Sequence, residues 1–319
     1  MDIYESIQKF NEQFGYRPEV VNGENFKPKN KFIVAGMGGS NIASDFLWVY
    51  RPELEIISHR SYGLPSVNDL NSYTIIASSY SGGTEEAISA FEEALKKGLS
   101  LAVITTGGKL LELAKEHAIP HIQMPDLGIQ PRVAVGLSFM AMLKIIGDDD
   151  GLKISSELQG GLTPTDYEAT GKSLAEKTKG KIPVIYSSNT NGPLAHDWKI
   201  SFNENGKIPA FYNIFPELNH NEMISFSDIK GLADKFCFIF LRDSTDLPQI
   251  QKRMDITAGL FADKGLPVEN VTLENKNGPV HKIFSSVILA SWTSYYVAQN
   301  YGLDPENVDM IEEFKKLIK

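Results

Sequence analysis

Two short stretches in the first half of the chain combine glycines with hydroxyl side chains directly after apolar runs. One is "GMGGS" at residues 36–40, and the other is "SYSGGT" at residues 79–84. Helix-like sequence follows each stretch, so both are predicted to form strand-to-helix corners. The N-terminus of a helix carries unpaired N–H groups and a partial positive charge, and glycine lets a ligand approach those groups closely. These corners therefore predict a binding site for a phosphate group.

Hydroxyl groups in the same corners add neutral hydrogen-bond donors, which suit a phosphate dianion without a lysine. The predicted phosphate-binding residues are Gly39, Ser40, Ser79, Ser81 and Thr84. Two other interpretations stay open. Ser81 or Thr84 could do no more than cap the helix that follows. A dinucleotide site begins in the same way, but Asn41 stands where the third glycine of G-x-G-x-x-G belongs, and the strand ending in "SHR" offers no acidic ribose ligand.

Strand-like apolar runs alternate with helix-like segments along the chain, which predicts an α/β fold with doubly wound, mainly parallel sheets. After a polar, glycine-containing stretch at 147–172, interpreted as the connection between domains, the pattern begins again. We interpret this as an internal duplication, with domains at 1–152 and 153–319. Chance similarity is the alternative, since any doubly wound fold alternates in this way. The second-half turn "LRDSTDLP" at 241–248 lacks glycine and contains two aspartates, so one phosphate site per chain is expected.

The composition limits the kinds of partner that the chain can have. Its 319 residues carry a formal net charge of −9, which argues against general affinity for nucleic acid or acidic membranes. No apolar stretch approaches the ~20 residues of a membrane span, and the start of the chain lacks the pattern of a secretory signal. Cys237 is the single cysteine, which excludes an internal disulfide and favours a reducing, cytoplasmic compartment. The predicted ligand is therefore a small phosphorylated molecule.

Further motifs make the chain resemble a known family. The two glycine corners resemble the sugar isomerase (SIS) domain, and the rest of the chain resembles the bifunctional phosphoglucose/phosphomannose isomerase family. The motifs that carry this resemblance are "ITTGG" at 104–108, "QPR" at 130–132, "FNENGKIP" at 202–209, "PELNHN" at 216–221 and "IEEFKKL" at 311–317. The resemblance implies two SIS domains per chain and an aldose–ketose isomerase that uses neither metal nor cofactor. It also implies a homodimer with its active site near the interface.

The resemblance also implies roles for particular residues. Arg132 matches the active-site arginine of the family, Glu204 its base, His220 its ring-opening residue and Lys315 its active-site lysine. In related enzymes the histidine comes from the partner subunit. Two departures from the family pattern bear on these roles. Many relatives have asparagine at the position of Gly83, and glycine there keeps the backbone amides for phosphate binding. Relatives that turn over mannose 6-phosphate have threonine at the position aligned with Val308, so the resemblance implies the glucose activity more firmly than the mannose activity.

The chemistry of these side chains is consistent with that reaction. Moving hydrogen between C1 and C2 of a sugar phosphate needs one positioned base, and a carboxylate such as Glu204 does this through a cis-enediol. Histidine suits ring opening near neutral pH, and an arginine such as Arg132 can stabilise a developing enediolate or contact the ring oxygens. Each residue also has a plain alternative: a solvated glutamate, a surface histidine, an arginine that anchors a helix start, and a lysine on a solvated helix face. No second His/Cys cluster accompanies His220 and Glu222, so no metal site is predicted.

Three functions agree with these features. The leading hypothesis is the interconversion of glucose 6-phosphate and fructose 6-phosphate, with mannose 6-phosphate as a further substrate. The alternative from another class is a non-catalytic SIS protein that senses a phosphosugar. A sensor needs the serine corners but not Glu204, His220 and Lys315, and no basic helix-turn-helix precedes the domain. An isomerase of pentose or amino-sugar phosphates would share the corners, but the motifs of the second half disfavour it.

Overall fold

The computed structural model describes residues 1–226, 231, 234–275 and 277–318. They form two compact units. The first unit contains residue 1 and residues 9–163; the second contains residues 2–8, which include helix α1 (Ile3–Gln8), and the chain from Pro164 onward. Across the described residues we find no helix with the length and hydrophobicity that a membrane crossing requires.

The first unit is built around a parallel sheet. Its described strands are β1 (Lys31–Ala35), β2 (Glu55–His59), β3 (Tyr73–Ser79), β4 (Ser100–Thr105) and β5 (His121–Gln123). Its described α-helices are α2 (Gly39–Tyr50), α3 (Glu85–Lys96), α4 (Gly108–Glu116), α5 (Val135–Ile146), α6 (Asp149–Ser156) and α7 (Leu158–Gly161). In space the strands are ordered β2-β1-β3-β4-β5, and each neighbouring pair is parallel. This confirms the predicted α/β class.

The first unit buries the residues that the sequence pattern selects. Ile75 and Val103 of adjacent strands pack with Ala87 and Phe91 of α3, which stand four residues apart and so lie on one face of the helix. The helix ends before Gly98, which has a φ of +65° and so takes the left-handed conformation usual for a glycine after a helix. Strand β3 is buried along its whole length, as expected for a central strand of a parallel sheet.

The second unit contains another parallel sheet. Its described strands are β6 (Ile182–Ser188), β7 (Phe211–Phe215), β8 (Phe236–Arg242) and β9 (Val268–Thr272). Besides α1, its described α-helices are α8 (Glu168–Thr178), α9 (Gly192–Glu204), α10 (Pro248–Asp263), α11 (Gly278–Asn300) and α12 (Asp309–Leu317). The strands are ordered β7-β6-β8-β9, again with parallel neighbours. This order matches that of the first four strands of the first unit, which supports the proposed duplication.

The predicted domain boundary at 152/153 differs from the division between the units. That position lies inside α6, and the stretch interpreted as a polar connection contains helices α6 and α7. These helices belong to the first unit, where the Asn11 side chain donates a hydrogen bond to the carbonyl of Gln159 at 2.7 Å. They were missed because they bury few side chains, so their sequence shows little apolar periodicity.

Helix α1 also departs from the predicted boundaries, since it packs with the second unit. The hydroxyl of Tyr4 donates to Glu168 at 3.1 Å, and its ring lies edge-on to Trp292 at 5.1 Å. Both partners are distant in sequence, so no local pattern could assign α1 to the second half of the chain.

Candidate functional site

The first sheet has one point at which its strand connections reverse direction. Strands β1 and β3 are neighbours, while β2 lies on the outer side of β1. In open parallel sheets, ligands bind beyond the carboxyl ends of the strands at such a point. The "GMGGS" corner follows β1 and the "SYSGGT" corner follows β3, so the fold places both predicted phosphate corners at this position.

Hydrogen bonds join the two corners to each other. The Ser40 hydroxyl accepts a hydrogen bond from the backbone N–H of Tyr80 at 2.8 Å, and Ser78 donates to the Ser40 carbonyl at 3.1 Å. Gly36 lies so close that a Cβ built on it would sit 2.4 Å from the Ser78 carbonyl oxygen. The first corner therefore tolerates no side chain at this glycine, and the two corners form a single cradle.

The hydroxyls of the second corner do not act as an ordinary helix cap. Thr84 is the N-cap residue of α3, yet its side chain makes no capping hydrogen bond to that helix within the described chain. Its hydroxyl instead lies 2.8 Å from that of Ser79, which accepts the N–H of Gly82 at 3.0 Å. Ser81 is exposed, and its hydroxyl accepts the N–H of Gly83 at 3.3 Å. The capping interpretation thus does not explain the side chains, and the first-turn amides of α3 keep the anion-binding character of a helix N-terminus.

The "ITTGG" motif supports the second corner from the next strand. Gly82 has a φ of +70°, and a Cβ on it would lie 1.7 Å from the carbonyl oxygen of Gly107. Gly108 has a φ of +67°, and its Cβ would lie 2.4 Å from the Ser81 carbonyl oxygen. The loops after β3 and β4 therefore interlock through glycines. Gly83 is different, because its nearest atom would be 3.9 Å away, so this position accepts a side chain.

Arg132 lies beside the first corner. It belongs to a short 3-10 helix, Pro131–Val133, and a Cβ built on Gly39 would lie 2.6 Å from the Pro131 carbonyl oxygen and 3.1 Å from the Arg132 Cα. The half-buried guanidinium donates to the Gln130 side chain at 3.3 Å. Gln130 belongs to the "QPR" motif but was not predicted as a site residue. The fold thus brings the backbone of Arg132 beside the first corner from about ninety residues along the chain.

Asn41 explains why a dinucleotide is a poor fit for the first corner. Its side chain is fully buried and donates to the carbonyl of Val34 at 2.9 Å and to that of His59 at 3.3 Å. It therefore ties the end of β1 to the end of β2 and fills the position at which a dinucleotide fold needs glycine.

Glu204 is the last residue of α9, and the "FNENGKIP" motif builds the turn that follows it. Asn203 donates to the carbonyl of Ile208 at 2.9 Å, and the buried Asn205 donates to the Ser294 hydroxyl at 3.3 Å. The ammonium of Lys207 donates to the Glu204 carbonyl at 2.6 Å. Side chains of the motif thus fix the position of Glu204, which is itself half-buried.

His220 and Lys315 are placed on other elements of the second unit. His220 ends a short 3-10 helix, Glu217–His220; it is exposed and makes no side-chain hydrogen bond or ion pair within the described part of the chain. Lys315 lies on α12 with its side chain 56% exposed, and it pairs with Glu312 at 2.7 Å. The structure therefore does not bond either residue to Glu204. Their shared role stays a prediction.

A buried carboxyl group that the sequence did not single out lies on the same helix as Glu204. Asp197, two turns earlier on α9, is 5% exposed. Its Oδ2 atom has no hydrogen-bond partner among the residues that the structure describes. Burial, together with the negative charge of Glu204, raises the pKa of Asp197 to about 8. The sequence "HDWK" gave no signal of this, since only the fold decides which side of α9 is buried.

Comparison with known proteins decides the family. The family model for the bacterial phospho-glucose isomerase C-terminal SIS domain matches residues 168–318. The bifunctional phosphoglucose/phosphomannose isomerase of Aquifex aeolicus is 33% identical over 330 aligned positions, covering 100% of this chain and 98% of the relative. The chain belongs to the bifunctional phosphoglucose/phosphomannose isomerase family. The family resemblance expected from the motifs is thereby confirmed.

Other proteins share parts of this similarity. The D-glucosamine-6-phosphate 4-epimerase of Sulfolobus acidocaldarius is 32% identical over 209 positions, which cover 64% of this chain and 67% of the relative. The solved structure of glucosamine-6-phosphate deaminase from Thermotoga maritima has a TM-score of 0.66 and 15% identity, covering 95% of each chain. At that identity the likeness shows the fold alone. Together with the match to an SIS-domain model, it confirms the predicted SIS-type α/β fold.

In the present chain, the corresponding corner of the second unit differs from the phosphate cradle of the first unit. At the carboxyl end of β8, Asp243 accepts a hydrogen bond from Lys282 at 2.8 Å, and Lys282 also donates to Asn191 at 3.0 Å. Burial alone would raise the pKa of Asp243, but the hydrogen bonds from Lys282 and Thr245 outweigh it and hold the pKa below its usual value. An internal ion pair thus fills this corner. Among the described residues no group of three or more His, Cys, Asp and Glu side chains is arranged to hold a metal ion.

Proposed function

We propose that the protein is an aldose–ketose isomerase that interconverts glucose 6-phosphate and fructose 6-phosphate and also accepts mannose 6-phosphate. The observation that carries the proposal is the 33% identity to a bifunctional phosphoglucose/phosphomannose isomerase over the whole chain. The single buried cysteine supports a cytoplasmic, reducing compartment.

In this proposal the first unit binds the phosphate. The cradle formed by Ser40, Ser79 and Thr84 offers hydroxyls and helix N-terminal amides, and Ser81 adds an exposed hydroxyl. Arg132 beside Gly39 supplies the positive charge that stabilises a developing enediolate. The cradle does no bond-breaking chemistry, and its role is to hold one end of the sugar in a fixed position.

Proton transfer is assigned to Glu204, with His220 and Lys315 in supporting roles. After His220 opens the sugar ring, Glu204 removes the proton from C2 while a proton is placed on O1, which gives the cis-enediol. The proton on O2 then leaves, and Glu204 returns its proton to C1, so the ketose forms with no net gain or loss of protons. Mannose 6-phosphate differs at C2 alone, so its reaction requires the substrate to present the opposite face of C2 to Glu204. Lys315 is proposed to contact the sugar oxygen atoms that take part in ring opening and enediol formation.

A homodimer is part of the proposal. His220 is exposed in the single chain, and α12 exposes Met310, Phe314 and Leu317. A second copy that covers these residues would enclose groups that are open to water in one chain. Sedimentation at several protein concentrations measures this directly, and a monomer that is fully active would refute it.

The test of the function is a coupled assay that starts from fructose 6-phosphate and reads glucose 6-phosphate and mannose 6-phosphate separately, with and without chelator. The variant Glu204→Gln should lower kcat about 10²–10⁴-fold, since a carboxamide cannot take the proton. Glu116→Gln is the matched control, because Glu116 is also the last residue of a helix and is exposed; it should keep wild-type activity. Tight binding of the sugar phosphate without turnover would favour a sensor. Turnover of glucosamine 6-phosphate at C4 would favour the epimerase reaction named for the Sulfolobus relative.

A further inference from the structure

Lys207 occupies a backbone position at which glycine is normally favoured. Its φ is +58°, in the left-handed region, and it follows the end of α9 directly after Asn205 and Gly206. A residue with a Cβ is strained in this conformation, whereas glycine adopts it freely. The chain nevertheless has glycine one position earlier and lysine here, which indicates that the lysine side chain itself is needed.

The ammonium of Lys207 connects two segments that are far apart in sequence. It donates one hydrogen bond to the carbonyl oxygen of Glu204 at 2.6 Å and another to the carbonyl oxygen of Asn307. The first carbonyl belongs to the last residue of α9, where unpaired carbonyls carry partial negative charge and attract a cation. The second lies two residues before α12, which carries Lys315. Hydrogen bonds from a charged donor are stronger than those between neutral groups.

The position of α12 depends on this segment, because the helix buries none of its own described side chains. The Asn307 side chain accepts the N–H of Asp309 at 3.0 Å and donates to the Asp309 carboxylate at 2.7 Å. One residue earlier, Glu306 accepts the N–H of Ile3 at 2.6 Å. The start of α12 is therefore held through residues 306 and 307, and Lys207 is the link from that segment to Glu204.

We propose that Lys207 is a positioning residue, which fixes α12 and its Lys315 relative to the end of α9 that carries Glu204. The proposal rests on the proposed function for the roles of Glu204 and Lys315. If it is correct, loss of the lysine side chain lowers kcat more than it changes KM, since the phosphate cradle of the first unit is left intact.

The variant Lys207→Gly separates this role from that of an ordinary helix cap. Glycine relieves the left-handed strain but removes both hydrogen bonds, so the melting temperature should stay close to that of the wild type. Hydrogen exchange of residues 309–317, read by mass spectrometry, should become about tenfold faster, and kcat should fall about tenfold with KM within twofold, as expected for about one charge-assisted hydrogen bond. Lys207→Met keeps the Cβ and stem and should show the same losses, while Lys207→Arg should restore part of both.

Two control variants test separately the relief of a left-handed backbone conformation and the loss of a lysine charge. Ala118→Gly relieves another left-handed residue, with a φ of +52°, in the first unit, and it should leave kcat and the exchange of α12 unchanged. Lys199→Met removes a lysine from the body of α9 and should behave in the same way.

The outcomes decide between the alternatives. If Lys207→Gly and Lys207→Met keep wild-type exchange in α12 and wild-type kcat, the lysine only caps α9 and the proposal is wrong. Faster exchange with unchanged kcat would also overturn it, because the position of α12 would then not matter for turnover. A wild-type protein without isomerase activity would refute the proposed function instead, and the exchange comparison would still decide whether Lys207 holds α12.

Discussion

Replacing Asp197 with asparagine should make the protein more stable at neutral and alkaline pH. The carboxyl is 5% exposed on α9, and its Oδ2 atom lacks a hydrogen-bond partner within the described residues. A buried carboxylate without partners is costly, because the interior does not replace the water that it loses. Burial and the charge of Glu204 accordingly raise its pKa from 3.8 to about 8. The folded protein therefore holds a proton on Asp197 at pH 7.

The sign and size of the effect follow from this difference. Below pH 3.8 the group is protonated in both states, so it does not change the free energy of unfolding. As pH rises from 3.8 towards 8, the unfolded chain releases the proton while the folded chain keeps it, so stability falls; above pH 8 the fall ends. Each pH unit in this window is worth about 1.4 kcal/mol, so the loss between pH 5 and pH 7 is about 2–3 kcal/mol. Asp197→Asn removes this dependence, and its advantage over the wild type should grow by that amount.

The measurement is urea unfolding of both proteins at pH 5, 6 and 7. Trp198 and Trp292 belong to the second unit and Trp48 to the first, so a Trp48→Phe background makes fluorescence report on the second unit. Asp263→Asn is the control, since Asp263 ends α10 and is exposed; its difference from the wild type should not change over this pH range. If Asp197→Asn and the wild type lose stability in parallel from pH 5 to pH 7, the carboxyl is not held protonated and the reasoning is refuted.

Four further substitutions have expected outcomes. Gly82→Ala should raise KM for the sugar phosphate and lower the free energy of unfolding by at least about 1–3 kcal/mol, because of the left-handed φ and the contact with Gly107. Gly83→Ala, its control, should stay within about 0.5 kcal/mol of the wild type by thermal unfolding. Val308→Thr should increase the ratio of mannose 6-phosphate to glucose 6-phosphate formed from fructose 6-phosphate; an unchanged ratio would separate this position from mannose activity. Lys282→Met should destabilise the second unit by about 3–5 kcal/mol in denaturant unfolding, since it leaves Asp243 buried without its cation. A loss of stability no larger than that caused by replacing an exposed lysine with methionine would contradict this.

The first unit could be predicted well from sequence because its signals are local. Apolar runs gave the strands, i, i+4 spacing gave α3, and the corners after β1 and β3 combine glycine with hydroxyls in short stretches. Such features depend on neighbours within a few residues, so they can be recognised without knowledge of the fold. The contact of Arg132 with Gly39 is not local, and only the sheet order brings these residues together.

The second unit shows why the remaining elements could not be predicted. Strand β7 is hard to predict from sequence because Phe211 and Tyr212 are exposed at the sheet edge, so its residues show no clear alternation of buried and exposed positions. Helix α11 is hard to predict because it is buried along most of its length, so its sequence lacks the polar face that marks an amphipathic helix. The burial of Asp197 could not be predicted either, since it depends on what packs against α9 and not on its neighbours in sequence.

The second sheet repeats the order of the first four strands of the first sheet, but the two sheets use the same position differently. In the first, the corners beside β1 and β3 present glycines and hydroxyls; in the second, Asp243 brings a carboxylate to the end of β8, and Lys282 neutralises it from α11. A phosphate at this second corner would have to displace Lys282 and would meet the buried carboxyl groups of Asp243 and Asp246. The same ion pair holds Asn191, the N-cap residue of α9, through bonds of 3.0 and 3.1 Å. The residues that exclude a ligand from the second corner therefore also fix the start of the helix whose far end carries Glu204.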